Sequence, residues 1–340
     1  MSFSRRDAIR TVVAGLGVLP VLAGRSAAQS RFPQIPSWNT ELRQLVPGVY
    51  AYTQATGPGV NNASLSNAGV IAGPDGLLAI DTLGPPIHAK AFKAAATKAT
   101  GKAFGRVLNT HHHRDHTNGN CFFAPAEIVA HEYTREAVIE QGIPARPYDD
   151  RPEWQTGMTE LRLAPPTTTF AGNLTYRYGD TVVEIIAIGP AHTWGDVVVY
   201  LPQHRILFAG DVAFSYVTPP AHNGHITKWI EAIDKVSRMD VDIIVPGHGP
   251  IGGKKELADT RAYLELMANE IRKRYHAGMR PGQAAADVNL GRFANWTNPE
   301  RNAWNAVRIY AELSGTITPS TDITAQNEAT AEYVKLRGRG

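Results

Sequence analysis

The chain has 340 residues, 43% of them hydrophobic and 19% charged, which excludes a disordered, collagen-like or coiled-coil protein and leaves material for a large core. Its net charge is +3, but residues 1–28 carry Arg5, Arg6, Arg10 and Arg25 against Asp7, so the remainder sums to zero and offers no field for attracting nucleic acid. The single cysteine, Cys121, excludes an intrachain disulfide.

Residues 1–28 read as an export signal. Arg5-Arg6 precedes an apolar stretch over 11–24, and Ser26-Ala27-Ala28 supplies small residues for a signal peptidase. The stretch is shorter than the roughly 20 residues of a spanning helix. The arginine pair resembles the twin-arginine signal; Ala8 stands where a large apolar residue is common, so the general secretory route stays open. An exported, periplasmic or secreted protein is expected, with no stable membrane anchor. Residues 29–340 read as one domain with a helical extension from about 255.

In the mature chain, Val49–Thr53 alternates as a strand, 66–72 is extended, Pro74-Asp75-Gly76 turns, and 77–80 is a short apolar strand ending at Asp81. A helix is predicted over 86–97, a strand over 106–109 that runs into a histidine cluster, a strand over 128–130 and a helix over 132–141. Residues 142–169 are proline-rich and without period, as in a long loop or lid. The second half repeats the plan: 174–178, 181–188, 196–201 and 205–209 are β-rich, a helix is predicted over 227–238, and 243–245 is a buried strand. Leu257, Leu264, Met267, Ile271 and Tyr275 share one helical face. Asn298-Pro299-Glu300 starts a further helix, and Gly315 stops it. The last twenty-five residues are polar and are expected to be loosely held.

Chemistry concentrates at 111–116, where four of the twelve histidines lie. His111, His113, Asp115 and His116 form H-x-H-x-D-H. Alternating histidines on an extended segment project in a similar direction and can grip one ion, while Asp115 and His116, after the chain turns, can face a neighbouring ion. Three further candidates, His192, Asp211 and His248, each lie beside a predicted strand and next to glycine or proline, as tight turns at strand ends require. Imidazole nitrogen and carboxylate oxygen suit zinc and other borderline divalent metals.

In these motifs the sequence resembles the metallo-β-lactamase superfamily, over nearly all of residues 45–275. The resemblance implies an α/β fold, a four-layer αβ/βα sandwich with metals at one edge. It implies that His111, His113 and His192 hold a first ion, that Asp115, His116 and His248 hold a second, and that Asp211 bridges them. Asp81 would orient a ligand histidine from behind. β-Lactamases of the family usually carry cysteine or serine at the bridging position, so Asp211 makes the chain more similar to glyoxalase II, lactonases and arylsulfatase-like hydrolases. Phe214 stands where lactonases of this branch often have tyrosine.

The expected function is therefore a dinuclear hydrolase of a carboxylic ester, lactone or thioester. Its cofactors are two divalent ions, zinc first with iron or manganese as alternatives; a metal-bound hydroxide attacks and Asp115 passes a proton to the leaving group. β-Lactam hydrolysis and a mononuclear-iron persulfide dioxygenase are the alternatives. A small neutral or weakly polar molecule is the expected partner, in a largely apolar pocket to which Trp154, Phe214, Tyr216 and His225 contribute. His112 and Arg114, the variable motif positions, are expected to point away.

Overall fold

A computed structural model describes residues 39–55, 65–144 and 155–338. The export segment, Trp154 and part of the proline-rich loop lie outside the described residues. Among the described residues the first sheet holds β1 (Glu41–Val46), β2 (Val49–Thr53), β3 (Ala68–Gly73), β4 (Gly76–Ile80), β5 (Phe104–Leu108), β6 (Glu127–His131) and β7 (Thr168–Phe170), in that spatial order. β1 to β4 run antiparallel and β4 to β7 parallel. Helices α1 (Pro86–Thr100), α2 (Arg114–Thr117) and α3 (Glu132–Gln141) occupy the connections that parallel strands need.

The second sheet holds β8 (Leu174–Tyr178), β9 (Thr181–Ala187), β10 (Val197–Leu201), β11 (Ile206–Phe214) and β12 (Ile243–His248), with β12 at one edge and β8 at the other. Helix α4 (Ile226–Ser237) links the parallel pair β11 and β12, and α5 (Lys254–His276), α6 (Pro281–Asp287), α7 (Arg301–Ser314) and α8 (Ile323–Arg337) follow.

Strand periodicity explains the layers. Ile71, Leu78 and Ile80 of the first sheet meet Val197, Val199 and Phe208 of the second in one buried cluster between the sheets. Their immediate neighbours Val70, Leu77 and Ala79 face outward onto Phe92 and Ala96 of α1, while Val198 and Leu207 face Trp229, Ile233 and Leu264 of the other helical layer. Successive residues of a strand point to opposite faces, so apolar residues at both parities bury both faces of each sheet and give four layers. Helix α4 adds an apolar stripe of Ile226, Trp229, Ile233 and Val236 at helical spacing.

Three expectations change. Strand β1 is an extra edge strand that charged Glu41 and Arg43 conceal in the sequence. Strand β11 runs past Ala209, so Asp211 lies within an irregular strand whose register shifts at Gly210. Residues Ile323–Arg337, expected to be loosely held, instead form α8: Asp322 caps it by accepting from the Ala325 amide at 2.9 Å, and Ala329 and Tyr333 are buried. Two buried residues in fifteen make too thin a stripe to see in a polar segment; tertiary packing decides the helix.

Candidate metal centre

The two sheets bring their loop ends together at one edge. Asp81 follows β4, the histidine cluster follows β5, His192 lies between β9 and β10, Asp211 lies in β11, and His248 ends β12. Two glycines permit the convergence. Gly210 has φ +48°, and a Cβ there would lie 2.7 Å from Thr110 Oγ1. A Cβ on Gly247 would come within 1.8 Å of Asp211 Oδ1, so any side chain there would push the carboxylate aside.

All seven candidate ligands meet, in two adjoining groups: His111, His113, His192 and Asp211, and Asp115, His116 and His248, with the ligand atoms of each group within 4.8 Å of one another. His192 Nε2 is 2.8 Å from His113 Nδ1 and 3.1 Å from Asp211 Oδ2. His248 Nε2 is 3.2 Å from Asp115 Oδ2, and His116 Nε2 is 3.1 Å from Asp211 Oδ1. One carboxylate thus touches both groups.

The far sides of the rings fix which nitrogens are free. His116 Nδ1 donates to Asp81 Oδ2 at 2.8 Å, leaving Nε2 as a lone pair. Asp81 also accepts from the Thr110 amide at 2.8 Å and from its hydroxyl at 2.7 Å, and that hydroxyl lies 3.1 Å from His111 Nδ1. Asn223 Oδ1, 3.0 Å from His113 Nε2, selects the tautomer that bares Nδ1. Asp196 closes the His192 turn by accepting from the Thr193 amide and hydroxyl, both at 2.7 Å.

His111 Nε2 is buried without a hydrogen-bond partner, and His116 Nε2 and Asp211 Oδ1, 3.1 Å apart, face each other and make no hydrogen bond of good geometry. Orphaned polar atoms of this kind are costly, and cations held in the two groups would satisfy them. The donor set of five imidazoles and two carboxylates fits divalent zinc, iron or manganese.

Electrostatics agree with a cation site. Burial, helped by His116, depresses the His111 pKa, and burial with His192 brings His113 down to about 3, so both stay neutral and keep their lone pairs. Burial also opposes charge on His116 and His248, but Asp211 and its neighbours outweigh it and raise both. Against burial, His116 and His248 hold Asp115 below the ordinary carboxylate range, and His248 and His116 do the same for Asp211. The carboxylates thus favour positive charge on the second histidine pair, the charge a divalent ion would supply there.

A cavity of about 390 Å³ opens on this edge, with His113, Asp115, Asp211 and His248 in its floor. Asp115 is the one candidate ligand that is not fully buried, with 16% of its side chain exposed. Three of the expected pocket residues, Phe214, Tyr216 and His225, lie outside the cavity lining. Phe214 is buried beneath His248, stacked at 5.1 Å between ring centroids, and does not line the cavity. Tyr216 reaches Glu256 at 3.2 Å instead. His225 caps α4 and pairs with Glu312 at 3.3 Å. His112 stays out of both groups, whereas Arg114 lines the cavity rather than pointing away.

Sequence reasoning missed Asn223 and the wall residues Arg301, Trp304 and Gln326. Arg301 left a signal: a cation in the first turn of a helix opposes the helix dipole and needs another reason to be there.

Residues 61–248 match the sequence profile of the metallo-β-lactamase superfamily. The chain is 24% identical over 261 residues to a linear primary-alkylsulfatase of Pseudomonas sp. (strain ATCC 19151), a match covering 65% of this chain and 49% of that protein. It is 29% identical over 186 residues to the 2,4-dinitroanisole O-demethylase subunit alpha of Nocardioides sp. (strain JS1661), covering 52% and 51%. The chain thus spans about half the length of these curated relatives. Among solved structures, the inverting sec-alkylsulfatase Pisa1 from Pseudomonas sp. superposes with a TM-score of 0.60 at 19% identity, over 82% of this chain and 51% of that one, a likeness of fold. With more than half of its residues inside that profile, the chain belongs to the metallo-β-lactamase superfamily.

Proposed function

We propose that this protein is a metal-dependent hydrolase that holds two divalent ions, zinc first, and cleaves a carboxylic ester, lactone or thioester; the alkylsulfatases among its relatives add a sulfate ester to that set. The observation that carries the reading is Asp211, one carboxylate within 3.1 Å of both His192 in the first group and His116 in the second. A second complete group beside the first favours paired ions over the single iron of a dioxygenase.

When bound, such ions supply Lewis acidity and lower the pKa of water to roughly 7. The chain's own residues do the rest. Asp81 and Asn223 hold His116 and His113 in the tautomers that face inward. Asp115, partly exposed on the cavity floor, is placed to exchange a proton with the departing group. We also assign residues 1–28 to export, with residues 29–340 as the mature domain.

The test is a panel of esters, lactones, thioesters, sulfate esters, β-lactams and phosphodiesters on protein whose metals have been quantified. Turnover of an ester-type bond that tracks two ions per chain, stops on chelation and returns with metal supports the reading. Turnover indifferent to chelation, or one iron per chain with oxygen uptake, overturns it. In Asp115→Ala, metal content and turnover should fall together; full activity rejects the proton role.

A further inference from the structure

The cavity wall contains a buried cation without a counter-ion. Arg301, the first residue of α7, is only 5% exposed and lines the cavity. Its Nη1 donates to the Thr218 carbonyl at 3.0 Å, and among the described residues no carboxylate lies within the 4.0 Å of an ion pair. A neutral carbonyl does not compensate a desolvated guanidinium. The helix dipole does not help either, because its positive end lies at the same residue. Burial accordingly depresses the Arg301 pKa, with Glu300, Asp115 and Asp211 acting only as more distant charges in the other direction.

A second guanidinium faces the same space. Arg114 lines the cavity, donates Nη2 to the Gln141 carbonyl at 2.5 Å, forms no ion pair among the described residues, and keeps a buried Nε without a partner. The acids in the lining are Asp115 and Asp211, both members of the metal groups and so committed to cations once the centre is filled. Beside the two arginines the wall turns apolar at Pro220, Trp304 and Ile323.

We infer that the substrate is an amphiphilic anion, an ester carrying one sulfate or carboxylate group that Arg301 holds with Arg114 beside it, its apolar part lying against Trp304 and Ile323. Sulfate and carboxylate each present a pair of oxygens that the guanidinium fork binds. This rests on the hydrolase reading and replaces the neutral or weakly polar substrate expected from the apolar residues around the motifs. Arg301 acts as a specificity-determining residue.

Two measurements test it on the metal-loaded protein. The first compares kcat/KM for 4-nitrophenyl hemisuccinate, 4-nitrophenyl sulfate and neutral 4-nitrophenyl butyrate. The anionic-to-neutral ratio should fall about 10- to 100-fold in Arg301→Gln, mainly through KM, and recover in part in Arg301→Lys. The hemisuccinate and sulfate arms separate the two sources of the anion. A ratio unchanged in Arg301→Gln overturns the inference.

The second is calorimetric titration with inorganic sulfate at constant ionic strength, which needs no turnover. Wild-type protein should bind sulfate about 10- to 100-fold more tightly than Arg301→Gln, with Arg301→Lys between them. Equal binding by all three places the anion on the metals alone and overturns the inference, as does no binding by the wild type. If no ester is hydrolysed, the hydrolase reading fails while this titration still decides the role of Arg301.

Discussion

The floor and the wall of the cavity are built in different ways. The floor is assembled from strand ends between Asp81 and His248, all of them inside the span that matches the family profile. Beside Arg114 and Pro220, which lie within that span, the wall comes from α7 and α8, which follow it and contribute Arg301, Trp304, Ile323 and Gln326. The floor is tied by carboxylates and imidazoles into a rigid cluster. The wall helices share a buried apolar core with Phe214 and Trp229, and polar links join them to the segment beside the floor: Asn223, which sets the tautomer of His113, donates to the Pro319 carbonyl at 3.0 Å, and Arg308 donates to the carbonyls of Gly224, Thr318 and Ser320. Floor changes should therefore alter metal content, and wall changes should alter substrate choice or local stability with the metals in place.

The largest effect is expected on the floor. Asp211→Ala removes the carboxylate that touches both groups, so metal analysis should show loss of bound ions and assays should show turnover at background. Next in size is Trp229→Ala, behind the floor. This fully buried ring lies 5.1 Å from His192 and donates to the Val212 carbonyl at 3.0 Å, so its loss should cost about 3–5 kcal/mol in denaturant unfolding.

A smaller effect is expected from Asp81→Asn, which keeps the size of the side chain but weakens its grip on His116. Metal affinity should fall about 10- to 100-fold in chelator competition, with the circular dichroism spectrum unchanged. The wall supplies the smallest change. Glu312 of α7 accepts from the Ile226 amide at 2.5 Å and the Thr227 hydroxyl at 2.6 Å, and lies 3.3 Å from His225. Burial opposes its charge, but His225 and the Thr227 donors prevail and depress its pKa. A depressed carboxylate stabilises the fold above its unfolded value of 4.5, and that contribution is lost as the pH falls through the folded value. Glu312→Gln should thus cost about 1–2 kcal/mol near neutrality and less in acid, read from unfolding at the two pH values. Loss of metal in this variant would break the distinction between floor and wall.

The same contrast explains what could be read from the sequence. His111, His113, Asp115 and His116 announce themselves because several rare residue types crowd into one short segment, and His192, Asp211 and His248 stand beside turn-forming glycine or proline. The sandwich was legible only through the family resemblance those motifs carry; the almost continuously apolar β4 and β11 are what strands buried on both faces look like. Arg301 and Trp304 sit in a helix whose start the Asn-Pro-Glu motif marks, yet nothing local says which face meets the cavity; tertiary packing decides it. Phe214 misled for a related reason. Its position after Asp211 suggested the pocket, but β11 continues through it and turns the ring beneath His248.

The central claim is that seven side chains hold a pair of ions. Anomalous diffraction from crystals grown with zinc tests it most directly. Two peaks are expected, one among His111, His113 and His192 and one among Asp115, His116 and His248, with Asp211 touching both. No peak at this edge, or peaks only at other residues, would contradict it.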